Sequence, residues 1–371
     1  MKPHEEPNRG RDLQSQSVMG TSFTHSDDIL TPHFWRNGDP IPFQTSGSTG
    51  AAKQVVITKE ALLLSARAVN DWLRVDAASA WGLALPLHHV GGFGVAARAY
   101  AAGCRLSDYE GKWNPTRFTE WIGEKGITHV SLVPTQIHDL LAAGLHAPPS
   151  LAAVVVGGGK LTAEPGQAAR DKGWPVLASY GMTEAASQIA TQSIGLLHKP
   201  YTASPLELLP IWEAEETPEG LLRIKGEALF AGTIENGRFH PREGAWFTTQ
   251  DRVAVSGDSL TPIGRIDSLV KVMGELVDLD AVERRFLELA RGTVREGTFA
   301  VIAVPDPRRE NALIAVFENP CQAAGAAYAS YQSQAPGPER FARLLYTPCF
   351  PRTELNKTRR SDLKQICMGG G

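Results

Sequence analysis

Residues Gln44 to Val55 read QTSGSTGAAKQV, which crowds Thr45, Ser46, Gly47, Ser48, Thr49 and Gly50 together and sets Lys53 shortly after them. Glycine accepts backbone angles that other residues resist, so successive amides can converge on an anion while the hydroxyls add donors. That chemistry suits a phosphate. A Walker loop is disfavoured, because the lysine does not adjoin the last glycine and no Ser or Thr follows it. A second stretch, VVVGGGKL from Val154 to Leu161, is a buried-type strand running into Gly157, Gly158 and Gly159, where a flat ligand could lie against bare backbone. In ASYGMTEAASQIAT, Tyr180 offers an aromatic platform and Gly181 a bend, while Thr183 and Glu184 could hold a magnesium that bridges phosphates. Asp251, in GAWFTTQDR, can accept both vicinal hydroxyls of a ribose, and Arg265, in GRID, can reinforce that contact. Lys357, in FPRTELNKTRRSDLKQ, places a cation where it could answer developing negative charge. Each stretch alone also has a plain structural explanation: a flexible turn, a helix cap, a surface ion pair or a solvated basic tail.

These residues need a scaffold, and the pattern supplies one. From Ile41 onward short apolar runs alternate with amphipathic segments. KEALLLSARAVNDWL puts Leu62, Ala66, Val69 and Leu73 on one helical face, while HVSLVP and LAAVVVGGG read as buried strands. The alternation predicts βαβ units and a mostly parallel sheet. From Leu206 to Ile263 the character shifts to short antiparallel strands with Gly and Asp turns, a small β-rich subdomain. After GRID come a helix (DLDAVERRFLELARG), two strands, a polar stretch from Gln322 to Pro338 that reads as an insertion or flexible loop, and a last helix. The expected class is α/β: a loose arm over 1–30, a large domain over 31–266 and a small, mobile α+β domain over 267–371. At 371 residues with 42% hydrophobic content the chain can bury a sizeable core. Its 37 Lys and Arg against 40 Asp and Glu, spread along the chain, argue against nucleic acid and anionic membranes as partners. Cys104, Cys321, Cys349 and Cys367 have no metal-like spacing and fit a reducing cytoplasm. No apolar run has the length of a membrane span or the form of a signal peptide.

Taken in order, these stretches resemble the superfamily of acyl- and aryl-CoA synthetases, peptide-synthetase adenylation domains and luciferases, over Phe43 to Lys364. The resemblance implies an enzyme that uses ATP, Mg2+ and coenzyme A on a small carboxylic acid, in two half-reactions through an acyl-adenylate. It implies that Thr45, Ser46, Gly47, Ser48, Thr49, Gly50 and Lys53 clamp the β- and γ-phosphates. Gly157, Gly158 and Gly159 would wall the adenine pocket, with Tyr180 as its stacking ring and Gly181 beside it. Thr183 and Glu184 would meet phosphate and magnesium, and Asp251 and Arg265 the ribose. Lys357 would bridge the attacking carboxylate and the α-phosphate, and Asp267 would be the hinge about which the small domain turns. LPLHHVGGFGVAARAYAAG, SLVPTQIHDLL and MTEAASQIAT are most similar to the o-succinylbenzoate–CoA ligase branch of menaquinone synthesis. The likeness implies that His89 lies at the acyl pocket and that the substrate is a dicarboxylate; Arg98 is then the basic residue expected to meet its second, unreacted carboxylate, with Ser187, Gln188 and Thr191 as polar liners. Relatives carry a long stretch ahead of the phosphate loop that this chain mostly lacks. Two other readings stay open: an adenylating enzyme for another acid with a CoA or carrier-protein acceptor, and a non-catalytic nucleotide-binding relic. The expected location is cytoplasmic, with a homodimer as one option for assembly.

Overall fold

The computed structural model describes residues 26–45, 53–290, 293–320, 322–353 and 358–369. A short helix α1 (Pro32–Arg36) precedes the hairpin β1 (Ile41–Thr45) and β2 (Lys53–Ile57). Helix α2 (Lys59–Leu73) follows, with the Thr58 side chain accepting from the Ala61 amide at 3.1 Å as its N-cap, a contact of about 1 kcal/mol. The face expected from the spacing, Leu62, Ala66, Val69 and Leu73, is buried. The chain then winds through β3 (Ala80–Leu83), α3 (Val90–Ala102), β4 (Arg105–Asp108), α4 (Pro115–Lys125), β5 (His129–Leu132), α5 (Pro134–Ala142), β6 (Ala153–Val156), α6 (Ala163–Asp171) and β7 (Val176–Met182). These strands pair in parallel in the order β4, β3, β5, β6, β7. Helical crossovers and fully buried strands are what the alternating apolar runs require.

At β7 the sheet changes direction. β8 (Ser187–Thr191), β9 (Leu206–Leu208), β10 (Glu213–Glu216), β11 (Leu221–Lys225), β14 (Trp246–Ser256) and β15 (Ser259–Arg265) are antiparallel and complete an 11-stranded sheet. The Gly and Asp turns expected between Leu206 and Ile263 are present, and their strands are hydrogen-bonded onto the parallel ones rather than set apart from them. β12 (Gly232–Glu235) and β13 (Arg238–Pro241) join β1 and β2 in a separate 4-stranded sheet. The end of the expected arm is not loose: Ile29 is fully buried and its carbonyl accepts from Trp35 Nε1 at 2.6 Å. Residues 1–25 lie outside the described residues.

Beyond Arg265 lie the hairpin β16 (Leu269–Val272) and β17 (Glu275–Asp278), helix α7 (Leu279–Leu289), β18 (Phe299–Asp306), β19 (Glu310–Glu318), helix α8 (Gln322–Gln334), β20 (Phe341–Thr347) and helix α9 (Arg360–Gly369). Period-two alternation splits β18 between two cores. Phe299, Val301 and Ala303 face Phe286 of α7 and Tyr331 of α8, whereas Ala300, Ile302 and Val304 face Leu363 and Cys367 of α9. Helix α8 corrects the expectation of a flexible loop over Gln322 to Pro338. Its alanines and glutamines are good helix formers, and Ala327 and Tyr331 bury against Phe341, with the Tyr331 ring stacked at 4.8 Å.

Candidate active site

Three pieces of the fold converge on a cleft of about 850 Å³. The carboxyl ends of β6 and β7 supply Val156, Gly158, Gly159 and Tyr180 to Glu184. β14 and β15 supply Thr248 to Asp251, Gly264 and Arg265, and the small sheet supplies Thr45, Lys53 and Glu235. Ligands in α/β sheets gather at the carboxyl ends of parallel strands, where the loops diverge. The cleft thus unites Thr45, Lys53, Gly158, Gly159, Tyr180, Gly181, Thr183, Glu184, Asp251 and Arg265. Ser46, Gly47, Ser48, Thr49, Gly50 and Lys357 lie outside the described residues. Gly157 continues the β6 ladder, its amide donating to Leu132 O at 3.0 Å.

Asp251 and Arg265 are register partners across β14 and β15. Asp251 Oδ1 accepts from Arg265 Nη1 at 3.0 Å, and Oδ2 from the Tyr180 hydroxyl at 2.5 Å. Arg265 also forks onto Asp267 at 2.9 and 3.1 Å and donates to Gln250 Oε1 at 2.8 Å. The hydrogen bonds to Asp267, with Asp251 beside them, raise the Arg265 pKa. Burial, then the Asp251 charge, pushes the Tyr180 phenol well above its usual range, so it stays a donor to Asp251. One constellation therefore ties the ribose-type carboxylate to the residue expected at the hinge.

The turn from β7 to β8 carries Thr183 and Glu184 in a short 3-10 segment, with the Glu184 carbonyl accepting from the Phe230 amide at 2.8 Å. Gly181 is obligatory here, since a Cβ would lie 1.7 Å from the Ser187 carbonyl oxygen. Ala186 and Ser187 follow with φ of 49° and 107°, a strained left-handed pair that turns the Ser187 hydroxyl inward. That hydroxyl accepts from Arg98 Nη2 at 3.4 Å, and Ser131 Oγ accepts from Nη1 at 3.0 Å. Arg98, on α3, is only 2% exposed and lies over the Trp81 ring at 5.3 Å. Among the described residues no carboxylate pairs with it and its Nε has no hydrogen-bond acceptor. Burial lowers its pKa to about 9, so the guanidinium remains charged at neutral pH. Met182 lines the cleft and is the cross-strand partner of Ser187, so Arg98 sits one strand behind the cleft.

His89 is at the N-cap of α3, its ring 4.4 Å from that of His88. Gln188 is buried with both amide atoms lacking a hydrogen-bond partner among the described residues, whereas Thr191 is fully buried and donates to Ala178 O at 3.1 Å. None of these three lines the cleft. Ser131, Lys160 and Glu235 belong to no motif that marks them in the sequence. The strand alternation around Ser131 and the Asn236-Gly237 turn beside Glu235 were visible, but their neighbours were not. Lys160 lines the cleft, and burial is the main cause of its lowered pKa, with Arg284 adding to it. Nearby, Glu296 accepts from Thr162 Oγ1 at 3.1 Å and lies 3.4 Å from His138 Nε2, joining the C-terminal part to the large sheet's helices.

Among the described residues no three acidic, His or Cys side chains cluster as a metal cage. A magnesium held mostly by phosphates and water needs only one or two carboxylates, and Glu184 with Thr183 on the cleft wall fits that donor set.

Residues 40–215 match the family described as AMP-binding enzyme. The structure also superposes on an E. coli MenE variant with bound OSB-AMS at a TM-score of 0.75 and 26% identity, over 89% of this chain and 69% of that one. The likeness to that family is thus shown for residues 40–215, a little under half of the chain. It is 29% identical over 285 residues to a 2-succinylbenzoate–CoA ligase of Staphylococcus aureus strain MRSA252, covering 71% of this chain and 55% of that protein. With the ligase of strain JH9 the identity is 32% over 237 residues, covering 60% and 46%. The chain thus spans about half the length of the curated relatives it matches. The o-succinylbenzoate–CoA synthetase of Bacillus subtilis, in complex with its acyl-adenylate, shares the fold at a TM-score of 0.74 and 24% identity. The mixed α/β architecture is shared with these MenE structures. Among the described residues no helix is long and apolar enough to cross a membrane.

Proposed function

We propose that the protein is a cytoplasmic, ATP-dependent acid–thiol ligase that converts o-succinylbenzoate to o-succinylbenzoyl-CoA. The observation that carries the acid's identity is Arg98, a guanidinium 2% exposed with two hydroxyl acceptors and no counter-ion among the described residues. A buried charge without a partner is costly. A dicarboxylate offers one carboxylate for reaction and a second to neutralise Arg98, and o-succinylbenzoate is such an acid. In the first half-reaction a carboxylate oxygen bonds to the α-phosphorus of ATP while pyrophosphate leaves. In the second the CoA sulfur bonds to the acyl carbon and AMP leaves.

In this reading Asp251 accepts the ribose hydroxyls, held in place by Arg265 and Tyr180, and Gly158 and Gly159 let the adenine lie against backbone. Thr45 and Lys53, with Ser46 to Gly50, meet the outer phosphates. Magnesium, when bound, offsets phosphate charge, and Glu184 with Thr183 would hold it. Lys357 spans the attacking carboxylate and the α-phosphate. His89, Ser187, Gln188 and Thr191 shape the acid's end. The 267–371 part turns about Asp267 against 31–266 between the halves. Pyrophosphate release measured across a panel of acids tests the assignment. Stimulation by o-succinylbenzoate above monocarboxylates is expected, and stimulation by another acid alone would overturn it.

A further inference from the structure

The strand β12 places a carboxylate where a polyphosphate-binding cleft would be expected to exclude one. Lys53 on β2 is the register partner of Thr45 on β1 and of Glu235 on β12, so the three form one cross-strand row on a single face. Directly opposed residues of antiparallel strands sit only about 5 Å apart at Cβ. All three line the cleft. Lys53 Nζ lies 3.2 Å from Glu235 Oε1. The position is rigidly specified: Asn236 and Gly237 have φ of 52° and 75°, both positive as a type I′ hairpin turn demands, and this locks the register that sets Glu235 beside Lys53. The pair is 42% and 48% exposed, so it is weak and readily exchanged.

We propose that Glu235 is a release element that competes with pyrophosphate for Lys53. The inference rests on the ligase reading above, in which Lys53 meets the outer phosphates. In the empty cleft Glu235 neutralises Lys53. A bound polyphosphate, with its greater charge, draws Lys53 away and leaves the Glu235 carboxylate uncompensated one strand spacing from an anion. That repulsion weakens the hold on ATP and on the leaving pyrophosphate alike, and it is relieved when pyrophosphate departs and Lys53 returns to Glu235. No covalent step is involved. Glu235 acts on the substrate through Lys53 and through its own field, so it is a positioning residue rather than a catalytic one.

Calorimetric titration of the full chain with magnesium pyrophosphate and with ATP tests this, using the wild type, Glu235→Gln and a control, Glu215→Gln. The control removes a carboxylate from another exposed ion pair, with Arg223 at 2.7 Å, outside the cleft. Glu235→Gln is expected to bind pyrophosphate about three- to tenfold more tightly and to suffer correspondingly stronger product inhibition, with Glu215→Gln unchanged. Unchanged or weaker binding by Glu235→Gln, or equal tightening by both variants, overturns the proposal. ATP binding by the wild type with no tightening in Glu235→Gln refutes the release role alone; wild-type protein that binds neither nucleotide nor pyrophosphate refutes the ligase reading as well.

Discussion

Asp251 and Arg98 are both charged, both close to the cleft, and differ in what surrounds them. Asp251 has each oxygen occupied by this chain's own donors, Arg265 and Tyr180. Arg98 has two hydroxyls and an aromatic ring but, among the described residues, no opposite charge. A carboxylate already paired can still accept hydroxyl hydrogens on its remaining lone pairs, so Asp251 suits a neutral sugar. A buried cation left uncompensated is strongly completed only by an anion. In the proposed reading the nucleotide end is therefore organised before ligand arrives, and the acid end stores an electrostatic deficit that the dicarboxylate substrate removes.

The largest expected effect comes from the lysine proposed to serve both ends. Lys357→Ala should slow adenylate formation by about a hundred- to a thousandfold while sparing thiolysis of supplied acyl-adenylate. Rapid-quench assays of the separate halves check this, and equal loss in both would contradict a role confined to the first transition state. Next, Arg98→Met should raise the KM for o-succinylbenzoate by about a hundredfold with the KM for ATP little changed. Because the substitution removes a buried unpaired charge, the ligand-free Tm should hold or rise. A fall in Tm with no change in acid KM would make Arg98 a structural residue and erase the contrast.

The pH profile sharpens the same point. With its folded pKa lowered to about 9, Arg98 loses its proton in the folded protein while the unfolded chain still holds one, so the wild type gains stability relative to Arg98→Met above that pH. Over the same window the wild type should lose affinity for the acid, and a binding curve flat across pH 9 would refute the charge pairing. Arg265→Lys, which loses the fork to Asp267 and the reach to Asp251, should raise the KM for ATP about tenfold and leave that of the acid unaltered. Smallest is Tyr180→Phe, which keeps the ring and removes one hydrogen bond to Asp251. About a threefold rise in the KM for ATP is expected from steady-state kinetics.

Local pattern made much of this legible. The face of α2 and the buried strands β5 and β6 each follow from spacing within a few residues. The glycine and hydroxyl stretch, Glu184, Asp251 and Arg265 could be picked out because their chemistry is carried by residue type and immediate neighbours. The Gln322 to Gln334 helix is hidden in the sequence because its composition lacks an apolar stripe, and only the aromatic wall of Phe341 and Phe286 reveals which face it buries.

The sequence by itself determined the order of the phosphate, ribose and lysine stretches, and with it the reaction class to propose. Tertiary structure alone decided the charges' environments. Whether Arg98 is an exposed helix residue or a buried cation depends on Trp81, Ser131 and Ser187, which come from three different strands. Whether Lys53 is free or held depends on β12 pairing with β2 in one register. The worth of a charge is set by dielectric and partners within a few ångströms, and those are long-range in the chain even where the residue itself is plain to read.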